Sequence, residues 1–310
     1  MVPLTSGFRR SAKSHNTEIS VLADWMEASA LFSSEARISG AEMVDTLVSE
    51  EIYDSQDFCW EAVDNGLAEL RRRSKLNPGF SLSVVSRRVD RVVPTWKDAP
   101  AHAFLLLLTL AQRYDKWRKV MPIDYLKQGE LFEELTKESL ANQLPDWVIS
   151  PTGWSRANPT TLPQLVAQIA GELGEVQGNV GEWTDPAAKE AGLDLLCYRP
   201  FADAQVGIPL LMLQCASGDW NQPGKIKTPD LELWIKLVQF ASKPKKAFAT
   251  HFSFSKKEFR MVAGKVDGIL LDRYRLLGHK PESDWVSTRL RKGLLAWVGR
   301  RATKLGNLSA

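Results

Sequence analysis

Apolar residues recur at helical spacing through the first third of the chain. In EISVLADWMEASALFSS, Ile19, Leu22, Trp25 and Met26 fall on one side of a helix. SGAEMVDTLVSEEI opens with Ser39 three residues before Glu42, the spacing of a capping box. DSQDFCWEAVDNGLAELRRRSKL continues with Phe58, Ala62, Leu67 and Leu70, and its acids at the start and Arg71, Arg72 and Arg73 at the end suit the helix dipole. DAPAHAFLLLLTLAQRYDKW has the apolar density of a buried helix. Residues 1–120 are therefore expected to form an all-helical domain, an interaction or DNA-contacting module, with residues 1–17 as a loose polar and basic arm.

After residue 120 the period changes. IDYLKQGELFEELTKESLANQL predicts a helix with Leu126, Leu131, Phe132, Leu135 and Leu140 on its apolar side, DWVIS a short strand, and LPQLVAQIAGELGEV a further helix ending near Gly178. Two apolar runs follow within residues 192–225, GLDLLCYRPF and GIPLLMLQCASGDWN, and both read as strands. TPDLELWIKLVQFAS predicts a helix with Thr228 as N-cap and Pro229 at its first position. KAFATHFSF and GILLDRYRLL predict strands, SKKEFRMVAGK a loop or short helix, and DWVSTRLRKGLLAWVGRRATKL a closing amphipathic helix. The order predicts an α/β domain over residues 121–310, a mixed central sheet flanked by helices.

Each of the two central strands carries one polar residue that an ordinary core strand does not tolerate without a purpose: Asp194 in the first, Gln214 in the second. A buried carboxylate costs free energy unless it is paired or binds a metal. Side chains alternate faces along a strand, so if Asp194 and Gln214 face one site, Cys197 and Cys215 fall on the opposite, apolar side. A hard cation such as Mg²⁺ or Mn²⁺ takes oxygen ligands, and the Asp194 carboxylate and Gln214 amide oxygen can supply two. A nearby ammonium would stabilise charge developing on a phosphodiester; Lys225 is the candidate, with Lys227 and Lys189 as rivals.

A length of 310 residues suits two domains, and a net charge of +3 is too small to imply nucleic acid by itself. Local clusters carry that argument. Arg71, Arg72, Arg73, Arg87 and Arg88 lie in a stretch with a single acid, and Arg289, Arg291, Lys292, Arg300 and Arg301 lie in a C-terminal stretch with none. They are candidate phosphate contacts, and Trp220 is a candidate base-stacking residue. Three widely spaced cysteines argue against a disulfide framework and for a reducing cytoplasm. The longest apolar run is too short to span a bilayer, so no membrane partner is expected. Phosphate-binding and dinucleotide glycine motifs do not occur.

GLDLL, then LQCASGDWN with a following lysine, preceded by a helix carrying GELFEEL, resembles the PD-(D/E)xK restriction-endonuclease-like superfamily, and within it bacterial proteins grouped with phage-defence nucleases. The resemblance covers residues 124–277. It implies a restriction-endonuclease-like fold and a Mg²⁺-dependent (or Mn²⁺-dependent) DNA endonuclease in defence against phage or foreign DNA. By this likeness Asp194 is the metal-binding acid, Gln214 takes the second acidic position, and Glu133 is the helix-borne acid, with Glu172 and Glu175 as alternatives. The family's lysine, two residues after the second acid, is replaced by Ala216, which leaves Lys225 to take its role. DNA, other subunits of a defence system and further copies of the chain are the partners implied. The alternative is a catalytically silent relative that binds nucleic acid or a partner protein.

Overall fold

The computed structural model describes residues 1–5, 18–53, 55–77, 79–152, 161–184, 191–219 and 224–308, and of Lys225 its backbone only. The chain is mixed α/β and divides into two units. The first comprises Met1–Leu131, His251–Ser255 and Asp272–Ala310, the second Phe132–Thr250 and Lys256–Leu271. The division therefore falls inside the helix Tyr125–Gln143 rather than near residue 120, and the closing helix Thr288–Ala302 belongs to the first unit.

The first unit is built on the helix Ile19–Phe32, which is buried on every side from Ser20 to Leu31. The helix Gln56–Leu76 lies against it, and Gly66 permits the approach: a Cβ there would stand 2.7 Å from Met26 Sδ. The helix Pro100–Ala111 is buried almost throughout and packs on Thr288–Ala302, with Phe104 and Trp297 edge to face at 4.8 Å. The capping box of Ser39 and Glu42 forms at the start of Gly40–Ser49, as its spacing predicts.

The expectation of an all-helical first domain is corrected. Strands β1 (Arg37–Ser39), β2 (Leu82–Val85) and β3 (Arg88–Arg91) make a small antiparallel sheet in the order β1-β3-β2. They are too short for alternation to announce them. The predicted loose arm is corrected at its start: Val2 and Leu4 are buried, and Trp25 Nε1 donates to the Val2 carbonyl at 2.8 Å. The remainder of that arm, residues 6–17, lies outside the described residues.

The second unit holds a mixed sheet of β4 (Val148–Pro151), β6 (Leu195–Tyr198), β7 (Leu210–Ala216), β9 (Lys245–Thr250) and β10 (Ile269–Leu271), in the order β10-β9-β7-β6-β4. Here β6 pairs antiparallel with both β4 and β7, while β9 pairs in parallel with both β7 and β10. Two-residue strands β5 (Val176–Gln177) and β8 (Val238–Gln239) pair separately.

Leu162, Leu165, Val166, Ile169 and Leu173 form the apolar stripe of the helix Leu162–Leu173 and pack on Leu196, Leu210 and Met212 of the sheet with Trp234 and Leu237. Each such side chain, once buried, contributes about 1.5–3 kcal/mol. Thr161 and Gln164 close a capping box at its start, and Gly174 in the left-handed region (φ 69°) ends it. Asp230, not Thr228, caps the helix Leu231–Leu237, accepting from the amides of Glu232 and Leu233. That leaves the Thr228 hydroxyl for another partner.

Candidate functional site

Strands β6 and β7 bring the two polar residues together. Leu195 pairs with Leu213, so one residue outward along the ladder Asp194 comes to stand opposite Gln214. The Asp194 amide still donates to the Leu213 carbonyl at 2.9 Å, and on the other side Thr152 donates from its amide to the Asp194 carbonyl (2.9 Å) and from its hydroxyl to the Leu193 carbonyl (2.9 Å). The backbone at Asp194 is thus held by both neighbouring strands. Its carboxylate is buried, and Oδ2 accepts hydrogen bonds from Gln214 Nε2 and from the Cys215 amide. Asp194 therefore completes the end of the β6·β7 ladder with its side chain, a structural task independent of any chemistry.

Gln214 is half-buried, and its Oε1 accepts from Thr228 Oγ1 at 3.0 Å. Gly192 lies alongside in the left-handed region (φ 70°), where a Cβ would come within 2.5 Å of Thr228 Cβ and 3.1 Å of Gln214 Oε1. Both the dihedral and the space require glycine. Gly192→Ala is expected to destabilise the second unit by about 1–3 kcal/mol, read in thermal denaturation. A wild-type midpoint would mean that Thr228 does not pack on this turn.

Glu133 sits on the helix Tyr125–Gln143, and its carboxylate acts on the same neighbourhood. Burial, then the Asp194 and Glu133 carboxylates, push the Cys215 thiol well above its usual range, against a hydrogen bond from Thr136. Cys197 is fully buried and pushed up to about 12 by burial. The two thiols behave as core groups rather than nucleophiles.

Two residues that pattern reading passed over complete the site. One is Thr228, read in sequence as a helix cap. The other is Lys246 on β9, opposite Met212 of β7 and 8% exposed; its Nζ donates to the Ile226 carbonyl at 2.7 Å and so tethers the turn that carries Thr228. Burial lowers its pKa, against the pull of Asp230 and Asp267. A lysine inside an otherwise apolar strand, KAFAT, was the available signal. The side chain of Lys225 and all of Lys189 and Trp220 lie outside what is described, and Lys227 is exposed.

The basic candidates all belong to the first unit. Arg73 and Arg301 are corrected as surface contacts, because they are 0% and 1% exposed. Arg73 binds Asp24 and Glu27, and Arg301 binds Asp124 at 2.6 Å while lying 3.5 Å over the Trp297 ring. Most of the others are engaged with neighbours. Arg71 donates to the Ser86 carbonyl, Arg72 grips Glu69, and Arg87 pairs with Asp64 over the Trp60 ring. Arg88 pairs with Asp90, Arg291 donates to the Lys97 carbonyl, and Arg300 pairs with Asp124. Arg289 and Lys292 are exposed on Thr288–Ala302.

Buried charge is concentrated elsewhere in the first unit. His102 Nε2 meets Glu27 Oε1 at 2.6 Å, Tyr274 donates to Glu27 Oε2 at 2.8 Å, and Arg273 pairs with Asp24. Glu282 caps the helix Pro100–Ala111, accepting from the amides of Ala101 (2.7 Å) and His102 (2.8 Å). Burial outweighs those bonds and raises its pKa from 4.5 to about 7. Between these values the folded chain holds a proton that the unfolded chain has lost, so this contribution is complete below pH 4.5 and is lost as pH rises through 7. Glu282→Gln lacks this loss. In urea unfolding its stability relative to wild type is expected to rise by about 2–3 kcal/mol between about pH 5 and pH 7.5. A constant difference would place the Glu282 pKa at its ordinary value.

No helix among the described residues is long and apolar enough to cross a membrane, and no group of three or more His, Cys, Asp and Glu among them could hold a metal ion. No protein-family model, curated protein or solved structure matches the chain.

Proposed function

We propose that the second unit is a metal-dependent nuclease domain of restriction-endonuclease-like type that hydrolyses phosphodiester bonds in DNA, serving defence against phage or foreign DNA. The observation that carries this reading is the placement of Asp194 directly opposite Gln214 at the end of two central antiparallel strands. A polar pair at the end of a sheet that is otherwise apolar at its centre is where a ligand can be met without opening the core.

The donor chemistry fits a hard cation held by few protein atoms. Mg²⁺ keeps several waters and commonly takes one or two carboxylates plus phosphate oxygens, and Asp194 supplies the carboxylate here. Gln214 can add an amide oxygen, and Glu133 can orient water or support the ion. When bound, the metal would activate water and neutralise charge on the phosphate. The chain's own residues fix the Asp194 carboxylate through the Cys215 amide and keep the turn at Thr228 in place through Lys246. Lys225 remains the proposed charge stabiliser, and Arg87, Arg88, Arg289, Lys292 and Arg300, all exposed, the cations proposed to meet a DNA backbone.

A second reading, a catalytically silent relative that binds nucleic acid or a partner protein, is favoured by two particulars. Gln214 covers Asp194 with a hydrogen-bond donor, and Ala216 offers only a methyl group where the resemblance calls for lysine. The test is Mg²⁺-dependent cleavage of plasmid, linear and single-stranded DNA by wild type and Asp194 variants. Cleavage that requires Mg²⁺ and Asp194 supports the nuclease; DNA binding without cleavage supports the silent relative.

A further inference from the structure

The orientation of the Gln214 amide follows from its partners. The amide end against Asp194 Oδ2 also lies 3.3 Å from the Cys215 carbonyl, which only accepts, so that end is the nitrogen, and the end against the Thr228 hydroxyl is the oxygen. In this position Gln214 occupies the face of the carboxylate that a cation would use and turns its own oxygen away. A half-turn of the amide would exchange the two ends. Its oxygen would then stand beside the Asp194 oxygen, an arrangement that repels without a cation and attracts with one between them.

Thr228 makes both positions tenable. A hydroxyl donates as readily as it accepts, so it can donate to the amide oxygen in one position and accept from the amide nitrogen in the other. Two other contacts need not move, the Cys215 amide on Asp194 Oδ2 and Lys246 on the Ile226 carbonyl two residues before Thr228, while the 3.3 Å bond from Gln214 Nε2 to the Cys215 carbonyl is given up and leaves that oxygen, too, facing a bound cation. A carboxylate in place of the amide would lack the donor that covers Asp194.

We infer that Gln214 is a two-position latch on Asp194, closed by its amide nitrogen when no divalent cation is present and turned oxygen-inward when one binds, with Thr228 the positioning residue that bonds it in both. The inference rests on the metal reading above and gives that site a built-in closed state. Thr228 touches neither metal nor substrate; it acts through Gln214.

The experiment is Mn²⁺ binding by calorimetry, with the Gln214 side-chain amide followed by ¹⁵N–¹H NMR during Mg²⁺ titration and assigned from its loss in Gln214→Glu. Thr228→Val removes a partner from both positions of the amide, its donor in the closed one and its acceptor in the turned one, so its Mn²⁺ affinity is expected to stay within about threefold of wild type; a larger change would mean that Thr228 bonds one position only. Gln214→Glu, with no donor to withdraw and a second carboxylate to offer, is expected to bind at least about tenfold tighter than wild type. The Gln214 amide protons are expected to move upfield in wild type as they leave the carboxylate. A Gln214→Glu affinity no tighter than wild type, or Gln214 amide protons unmoved by saturating Mg²⁺, would overturn the latch while leaving the metal site standing. If neither wild type nor Gln214→Glu binds Mn²⁺ in an Asp194-dependent way, the metal reading fails, and the latch with it. Should Thr228→Val not fold, the amide shift in wild type decides.

Discussion

Arg73→Met is expected to lower the stability of the first unit by about 3–5 kcal/mol, the cost of removing one partner from a buried ionic network. The guanidinium is fully buried; it reaches Asp24 and Glu27 at 2.8 Å through one nitrogen, Glu69 at 3.0 Å through another, and the Ser20 carbonyl at 3.2 Å through the third. Methionine fills much of the volume but leaves Asp24 with Arg273 and the more distant Arg113, and Glu27 with Arg273, His102 and Tyr274. Burial would raise the Glu27 pKa, yet Arg273, His102 and Arg73 together hold it well below the usual carboxylate range. A depressed carboxylate contributes stability that is present above its unfolded pKa of 4.5 and is lost as pH falls toward the folded value. The gap between wild type and variant should therefore narrow as pH falls below 4.5. Urea unfolding followed by tryptophan fluorescence measures it, and a loss under about 1 kcal/mol at neutral pH would show that the remaining charges satisfy one another.

That network was not legible in the sequence, and the reason is specific. Asp24 and Glu27 are spaced i, i+3 in ISVLADWMEASALF, which reads as the solvated side of an amphipathic helix. Both are instead fully buried, because their cations, Arg73 and Arg273, come from 49 and 249 residues away along the chain for Asp24. Helical period reports a local face and says nothing about a distant charge that turns the face inward. The Ser39 capping box, by contrast, is a contact over three residues and was readable for that reason. The same division runs through the candidate site. Period-two alternation and the register of two adjacent strands suffice to set Asp194 beside Gln214. The amide orientation depends on Thr228, whose likeness to a helix cap in the segment TPDL concealed a contact with Gln214. Lys246 reaches the turn only because β9 inserts beside β7, a pairing that no local pattern encodes.

If the second unit is the nuclease proposed above, Asp194→Asn is expected to reduce Mg²⁺-dependent DNA cleavage at least about 100-fold while changing stability by less than about 1 kcal/mol. The two effects separate because the proposed reading adds a metal-binding task to the structural one the carboxylate already has. Its Oδ2 accepts from Gln214 Nε2 and the Cys215 amide, and an asparagine oxygen placed there accepts the same two bonds, so the end of the β6·β7 ladder stays closed. What asparagine lacks is the negative charge, and with it the reason for a divalent cation to displace the Gln214 amide. Asp194→Ala removes both tasks: it leaves the Cys215 amide and the Gln214 amide without their acceptor, at a cost of about 1–3 kcal/mol, so loss of cleavage in that variant alone confounds chemistry with folding. The pair must be read together, in cleavage assays on plasmid, linear and single-stranded DNA with thermal denaturation alongside. Full cleavage by a stable Asp194→Asn would take the catalytic role away from this residue and leave it the structural one, an acceptor that finishes the ladder where two strands part.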